Sequence, residues 1–131
     1  MKKGTLLNAP LSALIAQMGH TDRLVVSDAG LPIPEGVPHI DLAVSPGIPP
    51  FLKVTRAILT ELEVESAIIA EEMEEVSPEL CAALMELLGD IPVETVPHER
   101  FKTETESARA VARTGEFTPY ANIILSAGVV F

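Results

Sequence analysis

Short aliphatic segments bounded by glycine, proline or polar residues recur along the chain. They restrict its possible folds more than any other feature of the sequence. The clearest are RLVVSD (23–28), SAIIA (66–70) and NIILSAGVVF (122–131, with a break at Gly128). Each has the length of a strand, and its apolar residues are consecutive, which is typical of strands buried on both faces. The pattern therefore predicts a sheet with helices on both sides.

Segments with helical spacing lie between these strands. SPELCAALMELLG (77–89) begins with serine and proline and ends with glycine, which are start and stop signals of a helix. The other predicted elements are helices at 8–19 and 51–62, a loop at 28–38, strands at 39–44 and 92–98, and a further helix that ends near residue 115, in ESARAVARTG. Helices and strands thus alternate along the chain.

This alternation predicts an α/β fold. Because 131 residues suit one domain, we expect a single three-layer α/β/α domain over 1–131, with a mostly parallel sheet of five or six strands. Apolar residues make up 47% of the chain and aromatic residues only 4%, so the core is expected to be aliphatic. A surplus of apolar residues in a short chain also suggests that other subunits cover some of them.

Charge and composition exclude several classes of partner. The net charge is −10, which phosphate backbones repel, so no nucleic acid partner is expected. No apolar run approaches a membrane span, and the single cysteine, Cys81, cannot form an intramolecular disulfide. We expect Cys81 to be a buried, inert thiol and the chain to reside in the reducing cytoplasm. The acidic run EEMEEV (71–76) is interpreted as a solvated loop or helix face, not as a metal site.

Common catalytic motifs are missing from the sequence. There is no GxxxxGK[ST] or GxGxxG loop, no CxxC pair, no HExxH and no GxSxG. The remaining groups are histidines, an aspartate and a Tyr-Asn pair, which bind hydroxyl groups and transfer protons. Such groups suit a small polyol such as a sugar.

Several of these polar residues are predicted to meet at one edge of the sheet. Asp28 follows the first strand and His98 ends the fourth, and ligands of such sheets bind beyond the carboxyl ends of the strands. The segment TPYAN (118–122) precedes the last strand. It could reach the same edge only from an antiparallel strand or from a neighbouring subunit.

The histidines each have a structural and a functional interpretation. His20 follows a predicted helix end, where a cationic side chain is favoured by the helix dipole, and an isolated histidine is more often structural than catalytic. His98 is more often an exposed residue at a helix start, and His39 is interpreted as structural. Lys102, near His98, could bind a hydroxyl or phosphate group, and it is equally well explained as a surface charge.

Four segments together resemble one known family, the D-ribose pyranases and fucose mutarotases. They are KKGTLLNAPLSALIAQMGHTD (2–22), RLVVSDAGLPIP (23–34), PHERFK (97–102) and YANIILSAGVVF (120–131). In this order and spacing they cover essentially the whole chain, and the ribose branch is more similar than the fucose branch.

The resemblance implies an enzyme that interconverts the pyranose and furanose forms of D-ribose without a metal or organic cofactor. It implies that His20 is the catalytic proton donor and that Asp28, His98 and Tyr120-Ala121-Asn122 bind the sugar, with Ala121 binding through its backbone. It further implies a ring-shaped homo-oligomer, expected to be a decamer, with sugar sites at subunit contacts. The family's association with ribose uptake and ribokinase implies an intracellular role in ribose use.

The chemistry of ring opening agrees with this expectation. A hemiacetal opens when its anomeric hydroxyl loses a proton and its ring oxygen gains one, and histidine can exchange protons at neutral pH. Three alternatives stay open on the residues alone: a ribose-binding or regulatory protein without catalysis, an aldose–ketose isomerase, and a purely structural interaction protein.

Overall fold

A computed structural model describes all residues, 1–131, and its strands form one sheet. The strands are β1 (Arg23–Ser27), β2 (His39–Asp41), β3 (Val64–Ala70), β4 (Val93–Val96), β5 (Ala110–Arg113) and β6 (Ile123–Ala127). The helices are α1 (Ala9–Gln17), α2 (Phe51–Leu59), α3 (Glu72–Val76), α4 (Pro78–Leu88) and α5 (His98–Glu104). No helix is both long and apolar enough to cross a membrane.

The six strands lie in the order β2-β5-β1-β6-β3-β4. The pairs β1/β5, β2/β5 and β3/β4 are parallel, whereas β6 is antiparallel to both of its neighbours, β1 and β3. Five strands therefore run in one direction and β6 alone runs in the other. The predicted mostly parallel sheet is confirmed, and the residues before β6 lie at the same edge as the residues that follow the other strands.

Helices cover both faces of the sheet, as the consecutive apolar residues predict. Successive strand residues point to opposite faces. Leu24 and Val26 of β1 belong to the larger core, which also contains Phe51 of α2 and Leu84 of α4. On the opposite face, Val25 belongs to a smaller core with neighbours from α5 and the loop after β1. The α/β/α arrangement of three layers is thereby confirmed.

The prediction of a helix that ends near residue 115 was wrong. After α5, residues Thr105–Ser107 form one 3₁₀ turn, and Ala110–Arg113 form β5 between β1 and β2. The alanines and arginines of ESARAVARTG suit a helix by propensity, but Ala110, Val111 and Ala112 are buried on both faces of the sheet. Burial in the sheet therefore outweighs a weak helix preference.

Other predicted boundaries shift by a few residues. The fourth strand ends at Val96 instead of residue 98, because Pro97 begins a helix and leaves His98 as the first residue of α5. The second strand is limited to His39–Asp41. The acidic run at 71–76 forms α3, and the predicted break of the last strand at Gly128 is confirmed by the end of β6 at Ala127.

Candidate functional site

A pocket of about 270 Å³ opens at the edge where β1 and β4 end and β6 begins. Its lining residues come from the loops after β1 and before β6 and from the start of α5: Asp28, Gly30, Leu31, Pro32, His98, Pro119, Tyr120 and Asn122. The antiparallel direction of β6 brings the 118–122 segment to this edge within one protomer. Of the two routes that the sequence allowed, the structure shows the antiparallel strand.

Asp28 and Asn122, which both line the pocket, are joined by two hydrogen bonds. The Asp28 backbone N–H donates to Asn122 Oδ1 at 2.8 Å, and Asn122 Nδ2 donates to Asp28 Oδ2 at 3.1 Å. Asp28 Oδ1 accepts a third hydrogen bond from the Gly30 backbone N–H at 2.9 Å. Each carboxylate oxygen can accept two hydrogen bonds, so the fixed Asp28 side chain still has acceptor capacity for a ligand hydroxyl.

The His98 side chain forms one wall of the pocket. Both carboxylate oxygens of Glu72 accept from the His98 backbone N–H, at 3.1 and 2.9 Å, and this contact fixes the start of α5. The His98 ring packs edge-on against Tyr120, with 5.0 Å between ring centroids, and it stacks on Phe101. Its Nδ1 atom is buried and has no hydrogen-bond partner in the protein. Buried polar atoms in native proteins are nearly always paired, so this unpaired nitrogen is an exception at the wall of the pocket.

The segment before β6 has an irregular backbone. Tyr120 has φ = 63°, which few residues other than glycine adopt. Ser77 Oγ donates to the Pro119 carbonyl at 2.7 Å, so the serine that was predicted to cap α4 holds this loop instead. Ala121 is fully buried and does not line the pocket, so its predicted backbone contact with a sugar stays a prediction. Strained backbone is concentrated at functional sites, where the surrounding contacts hold it in place.

His20 lies at the other end of β1. It precedes the strand by three residues, whereas Asp28 follows it directly, and five strand residues span about 16 Å. The His20 side chain is 54% exposed, and its Nε2 lies 2.8 Å from Glu65 Oε2 at the start of β3. Within one protomer, His20 therefore takes no part in the pocket that contains Asp28.

The structure thus brings together most of the residues that the sequence singled out. Asp28, His98, Tyr120 and Asn122 line one pocket, with the Ala121 backbone beside them, and His20 lies apart. The other candidates have contacts elsewhere: Lys102 pairs with Glu99 at 2.8 Å, and His39 lies 4.0 Å from Asp41. Cys81 is buried as predicted, and burial raises the pKa of its thiol.

Sequence reasoning missed two carboxylates that contact the candidate histidines. Glu72 was assigned to a solvated face, but it is half-buried against the start of α5, and Glu65 was not considered. Both contacts join residues far apart in the chain, and a single sequence carries no signal for such pairs. No group of three or more histidine, cysteine or carboxylate side chains is arranged to hold a metal ion.

The fold and the pocket define a small α/β protein with a polar pocket at one edge of its sheet. Residues 1–130 match the RbsD / FucU transport protein family, and the chain belongs to that family. It is 57% identical to the D-ribose pyranase of Coprothermobacter proteolyticus over the full length of both chains.

Solved structures give the same result. The structure of Bacillus subtilis RbsD complexed with D-ribose is similar over the full length of both chains, with a TM-score of 0.97 and 46% identity. The fucose mutarotase of Streptococcus pneumoniae, solved in complex with L-fucose, has a TM-score of 0.83 and covers both chains completely. Its 22% identity shows a shared fold.

Proposed function

We propose that this chain is a cofactor-independent isomerase of the mutarotase type, which interconverts the pyranose and furanose forms of D-ribose within one domain over 1–131. The pocket that joins Asp28, His98, Tyr120 and Asn122 carries the proposal. Its volume of about 270 Å³ lies just below the range of pockets for drug-sized ligands, so a single small polyol fits it. The names of the full-length relatives and the ribose complex of RbsD support D-ribose as that polyol.

The pocket residues hold the sugar by its hydroxyl groups. Asp28 accepts a hydroxyl hydrogen bond, and its orientation is set in advance by Asn122 and Gly30. The unpaired Nδ1 of His98 and the Tyr120 side chain bind further hydroxyls. Holding the open-chain aldehyde in this way favours ring closure by a different hydroxyl, because less orientational entropy is lost at the reacting step.

His20 supplies the proton transfer in this proposal. Ring opening removes a proton from the anomeric hydroxyl and delivers one to the ring oxygen, and a positioned histidine accelerates such a step by roughly 10²–10⁴. Because His20 lies at the far end of β1 from Asp28, the histidine that serves one pocket comes from a neighbouring copy. A contact that joins two different surfaces forms a ring where the rotation between copies closes, and we propose a ring-shaped decamer.

Exposed apolar residues support association between copies. Val44, Ile48 and Phe117 are more than half exposed, although they are large hydrophobic side chains. Such groups are typical of surfaces that other subunits cover. We propose that the enzyme works in the cytoplasm and that its furanose product is consumed by ribokinase.

Exchange NMR on D-ribose tests the proposal directly. The protein is expected to raise the rate of pyranose–furanose exchange well above the spontaneous rate, with no new product. An unchanged exchange rate with ribose bound would instead identify a non-catalytic binding or regulatory protein. Formation of ribulose would identify an aldose–ketose isomerase, and the absence of any pentose binding would leave a structural protein.

A further inference from the structure

We propose that Glu65 is a positioning residue for His20, which fixes the orientation and the tautomer of the imidazole during proton transfer. This inference rests on the proposed function, because it concerns the same histidine. Glu65 lies outside the sugar pocket and reaches the reaction only through His20.

The contact between the two side chains defines the role. Glu65 Oε2 lies 2.8 Å from His20 Nε2, so the carboxylate accepts the N–H of that nitrogen. With Nε2 occupied, Nδ1 is the nitrogen that can exchange a proton with the sugar. The hydrogen bond of one ring nitrogen decides which tautomer the other presents.

The other carboxylate beside His20 cannot take this role. Asp22 Oδ2 accepts from the Gly19 backbone N–H at 2.9 Å, and the same oxygen lies 3.5 Å from Arg109 Nη1. Asp22 therefore closes the turn that carries His20 and pairs with a cation. Glu65 is left as the carboxylate that contacts the imidazole.

The backbone on both sides of the pair is irregular. The pairing of β3 with β6 shifts register between Val64 and Ser66, which places Glu65 at a bulge, and bulges redirect side chains near active sites. Thr21, next to His20, has φ = 70°, an outlier for a β-branched residue. Its N–H donates to the Ala127 carbonyl at 2.9 Å, so β6 holds the strained turn in place.

Gly128 completes this arrangement. A Cβ atom at Gly128 would lie 3.2 Å from Cβ of Glu65, a tight contact that the glycine avoids where the chain after β6 passes Glu65. Exposed ion pairs contribute little to stability, and both side chains of the His20–Glu65 pair are about half exposed. The stability of the fold therefore does not explain why a strained turn and a bulge meet at this pair. The orientation of a catalytic imidazole would explain it.

The test is Glu65→Gln, with Glu63→Gln as the matched control. Glu63 is an exposed carboxylate two residues away, and its side chain makes no hydrogen bond or ion pair. In Glu65→Gln, kcat for ribose exchange is expected to fall about tenfold with KM unchanged, because a neutral hydrogen bond replaces the stronger one to a charged carboxylate. Glu63→Gln is expected to keep the wild-type kcat. Equal kcat values for the two variants would overturn the inference.

Nitrogen-15 NMR of His20 gives a readout that a merely structural role would not change. With a neutral ring, the wild type is expected to show only the Nε2–H tautomer. Glu65→Gln is expected to show a mixture of both tautomers, because the amide introduced by the substitution can donate as well as accept. In the His20→Ala background, Glu65→Gln is expected to cause no further loss of exchange. An additional loss there would refute action through His20. If His20→Ala itself kept full exchange, the proposed function would fail instead.

Discussion

The two ends of β1 differ in how many of the candidate site residues one protomer brings together there. At the carboxyl end, Asp28 is held by three hydrogen bonds, and residues from three separate parts of the chain enclose a pocket. At the amino end, the His20 side chain is exposed and forms a hydrogen bond with Glu65. In the proposed function, the carboxyl end binds the sugar and the amino end presents the proton-transferring side chain outward.

In the proposed function, binding and chemistry are divided between these two ends. A group that must meet a ligand bound to another copy has to lie on the surface of its own protomer, and His20 is exposed there. The groups proposed to recognise the sugar should be fixed before it arrives, and the two hydrogen bonds between Asp28 and Asn122 fix both side chains. Substitutions at the two ends should therefore separate the loss of rate from the loss of affinity.

The largest expected effect is that of His20→Ala. Removing the proton donor should abolish the acceleration of ring exchange, a loss of roughly 10²–10⁴, whereas the affinity for D-ribose should stay within about tenfold. Exchange NMR measures the rate, and calorimetric titration measures the affinity. His39→Ala, at an exposed histidine on an edge strand, is the control and should keep full activity. Unaltered turnover in His20→Ala would show that the amino end of β1 does not supply the proton transfer.

A smaller effect, on the affinity for D-ribose instead of the rate of exchange, is expected from Asp28→Asn. The amide keeps the shape of the side chain but loses its charge, so the hydrogen bond to the sugar weakens and ribose affinity should fall about tenfold to hundredfold. Titration of the variant with D-ribose measures this loss. Asp90→Asn, at an exposed aspartate, should leave the affinity unchanged. If Asp28→Asn lowered only the rate at saturating ribose, binding and chemistry would not be divided as described.

The smallest effect concerns the anchoring of β1 at its His20 end. Arg23 Nη1 donates to Glu104 Oε2 at 2.7 Å, and this hydrogen bond holds the pKa of the Glu104 carboxyl below its ordinary value of 4.5. A lowered pKa means that the pair stabilises the fold above pH 4.5 and loses this contribution as the pH falls through the folded-state pKa.

Glu104→Gln should therefore lower the free energy of unfolding by about 0.5–1 kcal/mol at pH 7. The difference from the wild type should disappear at a pH below the pKa of the folded protein. Urea unfolding at both pH values measures it. A constant difference across the pH range would show that the loss does not come from the charge of Glu104.

The sequence was sufficient for the elements whose pattern is local. The consecutive apolar residues of RLVVS predicted β1, and the polar residue that follows predicted the position of Asp28 at the edge of the sheet. It was not sufficient for β5, because Ala110–Arg113 has the composition of a helix and becomes a strand only through burial between β1 and β2.

The candidate site shows the same limit. The pocket residues could be grouped because each lies directly beside a strand end, and strand ends of one direction meet at one edge. Glu72 and Glu65 could not be found in this way. Glu72 contacts His98 across 26 residues of chain, and Glu65 contacts His20 across 45. The sequence did place His20 before β1 and Asp28 after it, but it did not show that the pocket lies wholly at the Asp28 end of the strand.

Mixing two variants that are each inactive at a low ribose concentration tests the division of the site between copies most directly. His20→Ala removes the proton transfer from every site, and Asp28→Ala removes the binding of ribose at concentrations far below the dissociation constant of that variant. When the two are unfolded, mixed in equal amounts and reassembled, a site shared across a heterologous contact should be intact in about a quarter of cases, with ribose exchange recovering to that extent. Recovery to about a quarter of the wild-type rate is the result that the account predicts. No recovery, with mixed oligomers present, would contradict it and place both residues of each site in one protomer.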